Sequence, residues 1–281
     1  MLKHIRLLFL SISLTVTSCA FAADKPRKVL VVVSSSSTLT LQSGKKHPTG
    51  FFLNELGVPV KALIDAGYEP VFADPQGNKP AMDEISDKPS YFGKDEKRFE
   101  AVKSLVTTLP ALQHPLALSK VAASDLNQYA AIFIPGGHAP MEDLWSDPSL
   151  GKILHHFHDA HKPTALICHG PIALLSALRD PRSVVSTIEN KKQGIVMQPW
   201  IYAGYNMTVF SDAEEKPNET PERLGGAMKF YPEDALRIAG GKIHEAEPGK
   251  SNVVHDRELI TGQNPHSDEE LAEQLLQALK E

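Results

Sequence analysis

The chain has 281 residues, a formal net charge of -5, and 42% hydrophobic against 22% charged residues. That length and mix call for a packed globular core and exclude a largely disordered chain. No basic block stands beyond the N-terminus, which excludes a nucleic-acid-binding footprint.

Residues 1–22 differ in kind. Lys3 and Arg6 precede an apolar run from Leu7 to Val16, and Ala20-Phe21-Ala22 offers small residues for signal peptidase. This is expected to be a secretory signal, with residues 23–281 forming one domain in the periplasm. The run is short for a membrane span. Cleavage after Ala22 would take the net charge from -5 to -7. Val16-Thr17-Ser18-Cys19 also resembles a bacterial lipobox, so lipidation at Cys19 is a second option. Either way Cys168 becomes the single free thiol of an exported chain, and an internal disulfide is excluded.

Lys28 to Val33 is a β-branched apolar run and predicts a buried first strand. Phe51 to Ala66 has helical spacing, is interrupted by Pro59, and ends at Gly67; Glu69 to Ala73 follows as a strand. Residues 74–110 are polar and Pro-rich, and predict loops with short helices that could cap a site. Ala130 to Ile134 is a strand closed by Pro135-Gly136-Gly137, Leu150 to Ala160 a helix, Thr164 to Ile167 a strand, and Pro171 to Leu178 a helix. Short strands are predicted at Met207–Phe210, Lys242–His244 and Asn252–Val254. A capping box at Ser267-Asp268-Glu269-Glu270 opens a last helix to about Lys280. Strands alternating with helices predict a three-layer α/β sandwich around a mostly parallel sheet.

The chemistry concentrates where a strand meets a helix at Cys168. Reactive groups collect at the carboxyl ends of such strands, and a sharp strand-to-helix turn pushes its residue outward. A helix N-terminus there would favour thiolate over thiol. The alternative is a buried structural cysteine. His169 could serve as the base a nucleophile needs, or only cap the turn. Gly136 and Gly137 could let backbone N–H groups reach an oxyanion, with His138 beside them, or form an ordinary turn. Gly170 permits close approach at the turn. Glu55 sits in an apolar stretch, where a buried carboxyl would stay protonated and donate to sulfur; the alternative is a solvent-facing position. His155, His156, His158 and His161 lack a carboxylate partner at a diagnostic spacing, so no metal is expected.

Four motifs together resemble the PfpI superfamily, and most closely its heat-shock chaperone and glyoxalase III branch. They are Gly50 to Glu55, Phe133 to His138, Ile167 to Pro171 and Thr261 to Pro265. The resemblance implies a flavodoxin-like, class I glutamine amidotransferase-like fold and a cofactor-free enzyme. It makes Cys168 the nucleophile, His169 its partner and Glu55 the acid at the sulfur. Gly137 and the Cys168 backbone match the oxyanion donors. The third triad member falls within Phe210 to Glu215, with Glu215 the best match and Asp212 and Glu214 as rivals. Ala139 departs from the glycine the family often has there. The implied activity is glutathione-independent conversion of methylglyoxal to lactate. Protein deglycation or a holding chaperone is the alternative, and a peptidase the more remote one. A homodimer is also implied. True glutaminase chemistry is not: the paired His-x-Glu near the C-terminus is missing.

Overall fold

A computed structural model of the chain describes residues 27–190 and 198–281. The predicted signal, its cleavage point and Cys19 lie outside the described residues.

Seven strands form the central sheet. In chain order they are β1 (Lys28–Val32), β2 (Glu69–Asp74), β3 (Leu116–Ala117), β4 (Tyr129–Ile134), β5 (Thr164–Ile167), β6 (Val253–Asp256) and β7 (Leu259–Gly262). The spatial order is β6-β7-β5-β4-β1-β2-β3. Every pairing is parallel except the β6–β7 hairpin at one edge.

Period-two alternation explains why the sheet is covered on both sides. Leu30, Val32, Ile132, Ile134 and Leu166 enter one core. Their neighbours Val29, Val31, Ala131, Phe133, Ala165 and Ile167 enter the other. The first core is closed by the helix α3 (Pro148–Asp159), through Leu150, Ile153, Leu154 and Phe157. The second is closed by α1 (Leu53–Asp65) and a C-terminal helix (Asp268–Ala278), through Leu53, Leu56, Val60, Leu271 and Leu275. Each fully buried aliphatic side chain contributes about 1.5–3 kcal/mol. Truncating the fully buried Phe157 to Ala would cost roughly 3–5 kcal/mol.

Several expectations need correction. The polar region 74–110 contains a thirteen-residue helix, α2 (Glu96–Thr108), capped by the Asp95 side chain. Its buried stripe is only Phe99, Val102 and Val106, too thin to stand out from sequence. Leu259–Gly262, for which the sequence predicts no strand, is an inner strand and wholly buried. Asn206–Met207 and Lys242–Ile243 pair with each other, not with the main sheet. Pro59 does not break α1. The segment after Cys168, Gly170–Ala177, is a 3₁₀ helix with all eight residues buried. Ser267 does not cap the last helix: its Oγ accepts from the Asn252 N–H, and Asn264 forms the capping box instead. Among the described residues no helix is long and apolar enough to cross a membrane.

Candidate active site

Cys168 follows the last residue of β5 with φ of +60°, left-handed backbone that costs a non-glycine residue about 1–2 kcal/mol. Two hydrogen bonds hold the turn. The Cys168 N–H donates to Gly262 O at 2.8 Å, and Cys168 O accepts from the Phe210 N–H at 2.9 Å. The missed strand β7 is thus one of the two clamps.

The Cys168 Sγ lies 3.2 Å from His169 Nδ1. On the other side of that ring, Nε2 lies 2.6 Å from Glu215 Oε2. A carboxylate only accepts, so Nε2 carries the hydrogen and Nδ1 turns its lone pair to the thiol. The ring is sandwiched: Phe210 stacks on it at 4.7 Å between centroids, and His138 lies tilted at 4.1 Å.

Glu215 ends a one-turn helix, Asp212–Glu215, capped by Ser211 in a box closed by Glu214. The three neighbouring acids separate cleanly. Asp212 pairs with Lys216 near the surface. Glu214 accepts from the Gly249 N–H, Gln263 and Asn264, tying down the surrounding loops. Glu215, fully buried, is the one that reaches His169. It also accepts from His138 Nε2, at 3.1 Å to each oxygen. Burial alone would raise the Glu215 carboxyl; the two imidazoles, His138 foremost, outweigh it and hold it well below the usual range. Burial pulls the His138 value down, but Glu215 more than offsets this and raises it. His169 is lowered, by burial and then by His138, so it is the neutral imidazole of the pair.

Glu55, in the first turn of α1, is wholly buried, and neither carboxyl oxygen has a hydrogen-bond partner of standard geometry. Burial pushes its pKa up to about 8, with the Cys168 thiol beside it. At neutral pH it is a carboxylic acid able to donate to sulfur. The Cys168 thiol is itself raised well above its ordinary value, by burial and then by Glu55. Burial thus opposes the helix-terminus activation expected from sequence: desolvation favours the thiol over the thiolate. His169 Nδ1 is the neighbouring group placed to accept the thiol hydrogen.

The glycines are required by close approach. A Cβ at Gly136 would stand 2.5 Å from both the Cys168 Cβ and the Glu55 carboxyl. Gly137 has φ of +86°, a Cβ there would strike the Gly50 carbonyl, and its N–H approaches the Cys168 sulfur. Gly170 packs against the Ile134 and Pro135 carbonyls, a contact within the fold. The histidines of α3 do not converge: His155 meets Ala177 O, while His158 meets Glu258 and Tyr205. Sequence reasoning missed His47 and Tyr91, which stand near His138 and Cys168 respectively; no spacing signal joins them.

Among the described residues, His138, His169 and Glu215 also form a cluster with metal-ligand donors, all within 4.8 Å. Ligands of one tetrahedral zinc stand about 3.3 Å apart, yet His169 Nε2 and Glu215 are at 2.6 Å, and the Nε2 atoms of both His138 and His169 are already hydrogen-bonded to Glu215. The arrangement fits a proton-relay chain better than a metal site.

The sequence profile of the DJ-1/PfpI family matches residues 49–193. The chain belongs to the DJ-1/PfpI family. The matched span holds Glu55, Gly136, Gly137, His138, Cys168 and His169, while Glu215 lies beyond it. The chain is 29% identical to a protein/nucleic acid deglycase HchA of Pseudomonas aeruginosa, over 91% of this chain and 81% of that one. It is likewise 29% identical to HchA of Staphylococcus aureus strain Newman, over 88% and 78%. A crystal structure of glyoxalase III from Candida albicans superposes with a TM-score of 0.63 at 24% identity, over 89% of this chain and 96% of that one. This DJ-1/PfpI fold is the α/β sandwich with a mostly parallel central sheet that the sequence predicts.

Proposed function

We propose that this DJ-1/PfpI protein is a cofactor-independent enzyme that converts reactive carbonyls, methylglyoxal foremost, through Cys168. The observation that carries the reading is the buried chain Cys168–His169–Glu215 with an uncharged Glu55 at the sulfur.

The chemistry follows from that chain. His169 Nδ1 takes the thiol proton as sulfur attacks the aldehyde carbon. The C–S bond forms, the carbonyl π pair moves to oxygen, and the proton follows it, giving a hemithioacetal. His169 then removes the hydrogen on that carbon. The electron pair forms a C–C double bond, and the second carbonyl oxygen is protonated to an enediol. Protonation of the second carbon restores a carbonyl at the first, now a thioester. Water displaces sulfur, yielding lactate and free thiol, with no net oxidation. The Gly137 backbone is the oxyanion donor in this scheme.

The test is incubation with methylglyoxal without glutathione, followed by lactate determination; lactate supports the reading, and none from a folded protein sinks it. The relatives' name favours a second reading, deglycation, in which the same thiol attacks a carbonyl adduct and an amine leaves. Release of free amine from methylglyoxal-treated lysine peptides, faster than methylglyoxal turnover, would favour it. With the leader read as a secretory signal, the proposal locates the activity in the periplasm, which cell fractionation tests.

A further inference from the structure

His138 differs from the rest of the site in how it meets the outside. Its side chain is 16% exposed, against 2% for His169 and 0% for Glu215. Nε2 is committed to Glu215, while Nδ1 has no hydrogen-bond partner among the described residues. The ring lies against that of His169, which in turn touches the sulfur. In the proposed adduct the carbon bonded to sulfur would lie within reach of His169, and the adjoining His138 ring is the next imidazole out, on the side of a carbonyl one bond further.

We infer that His138 binds and protonates the second carbonyl oxygen of a vicinal dicarbonyl, and so selects substrates with two adjacent carbonyls. This rests on the reading that Cys168 attacks carbonyls. The enediol step needs it: one imidazole removes the carbon-bound proton, and a different group must deliver one to the oxygen that becomes negative. A cationic donor there also makes the stronger, charge-assisted hydrogen bond. The charged and titratable groups facing His138 are Glu215, His169, Asp83, Glu55 and His47. Glu215 dominates them and favours the imidazolium form.

The experiment measures binding to the thiol, so its outcome is independent of whether lactate follows. Cys168 held as a hemithioacetal resists iodoacetamide. Protection by methylglyoxal (two carbonyls) and by propionaldehyde (one) is compared in wild type, H138Q and H138N. Glutamine can still donate an N–H toward Glu215, and the ratio of the two protections cancels any general change in thiol reactivity. The expected result is a roughly tenfold or greater fall in the dicarbonyl-to-monoaldehyde ratio in both variants. A ratio unchanged in either folded variant overturns the inference, leaving His138 only the task of positioning Glu215. Absence of lactate with a normal shift in the ratio would count against the glyoxalase reading alone.

Discussion

The Cys168 sulfur and His169 Nδ1 stand 3.2 Å apart although the two residues are adjacent in the chain. The left-handed backbone at Cys168 is what makes this contact possible. An extended strand would send the two side chains to opposite faces. The strain is held by β7 on one side and Phe210 on the other. The contact is thus built into the backbone, and the groups around it can be perturbed one at a time.

Glu55 is, after burial, the main influence on the Cys168 thiol. Its folded pKa of about 8 lies above the ordinary 4.5, so between these values the folded state binds more protons than the unfolded one. Stability from this group therefore falls as pH rises across that window. Glu55→Gln should melt close to wild type at pH 5 and gain on it above pH 8, by an amount on the order of a few kcal/mol. Alkylation of Cys168 should also lose its inhibition above pH 8 in the variant. Urea melts and iodoacetamide rates at both pH values check this.

Glu215 has the opposite sign. Its folded pKa is depressed, so its ionised form stabilises the fold above the ordinary carboxylate range, and that contribution is lost as pH falls through the folded value. Glu215→Gln should cost about 3–5 kcal/mol at neutral pH, with the gap to wild type closing in acid. It also frees the His169 tautomer, so kcat should fall about 10²- to 10⁴-fold. Denaturant melts from pH 7 downward, with kcat at pH 7, measure both effects.

Gly136→Ala would force a methyl into the space between Cys168 and Glu55. The expected cost is roughly 1–3 kcal/mol, with a slower Cys168 alkylation rate than the stability loss alone would give. Thermal melts with parallel iodoacetamide kinetics test this. Alkylation at the wild-type rate would mean the sulfur and carboxyl move apart freely.

Legibility in the sequence followed the distance over which each signal acts. The apolar runs Lys28–Val33 and Ala130–Ile134 read as strands because they are continuous, and they match the observed Lys28–Val32 and Tyr129–Ile134; the sandwich follows from their alternation with helices. Leu259–Gly262 was missed because four residues, including a glycine, carry no period. Cys168 and His169 stood out at a strand end. Choosing among Asp212, Glu214 and Glu215 depends on which face of a single turn points inward, decided by the Ser211 cap and by partners on Gly249, Gln263 and Asn264. The desolvation that opposes ionisation of the thiol depends on packing, which the helix-end argument from sequence does not contain. The link from His138 to Glu215 spans two distant segments, and no local pattern announces it.

The most direct measurement is glutathione-free conversion of methylglyoxal by wild type and Cys168→Ala side by side, with lactate quantified and intact mass checked for an adduct on Cys168. The account predicts lactate and a transient thiol adduct in the wild type, with both lost in a folded Cys168→Ala. Lactate formed equally by the two proteins would contradict it.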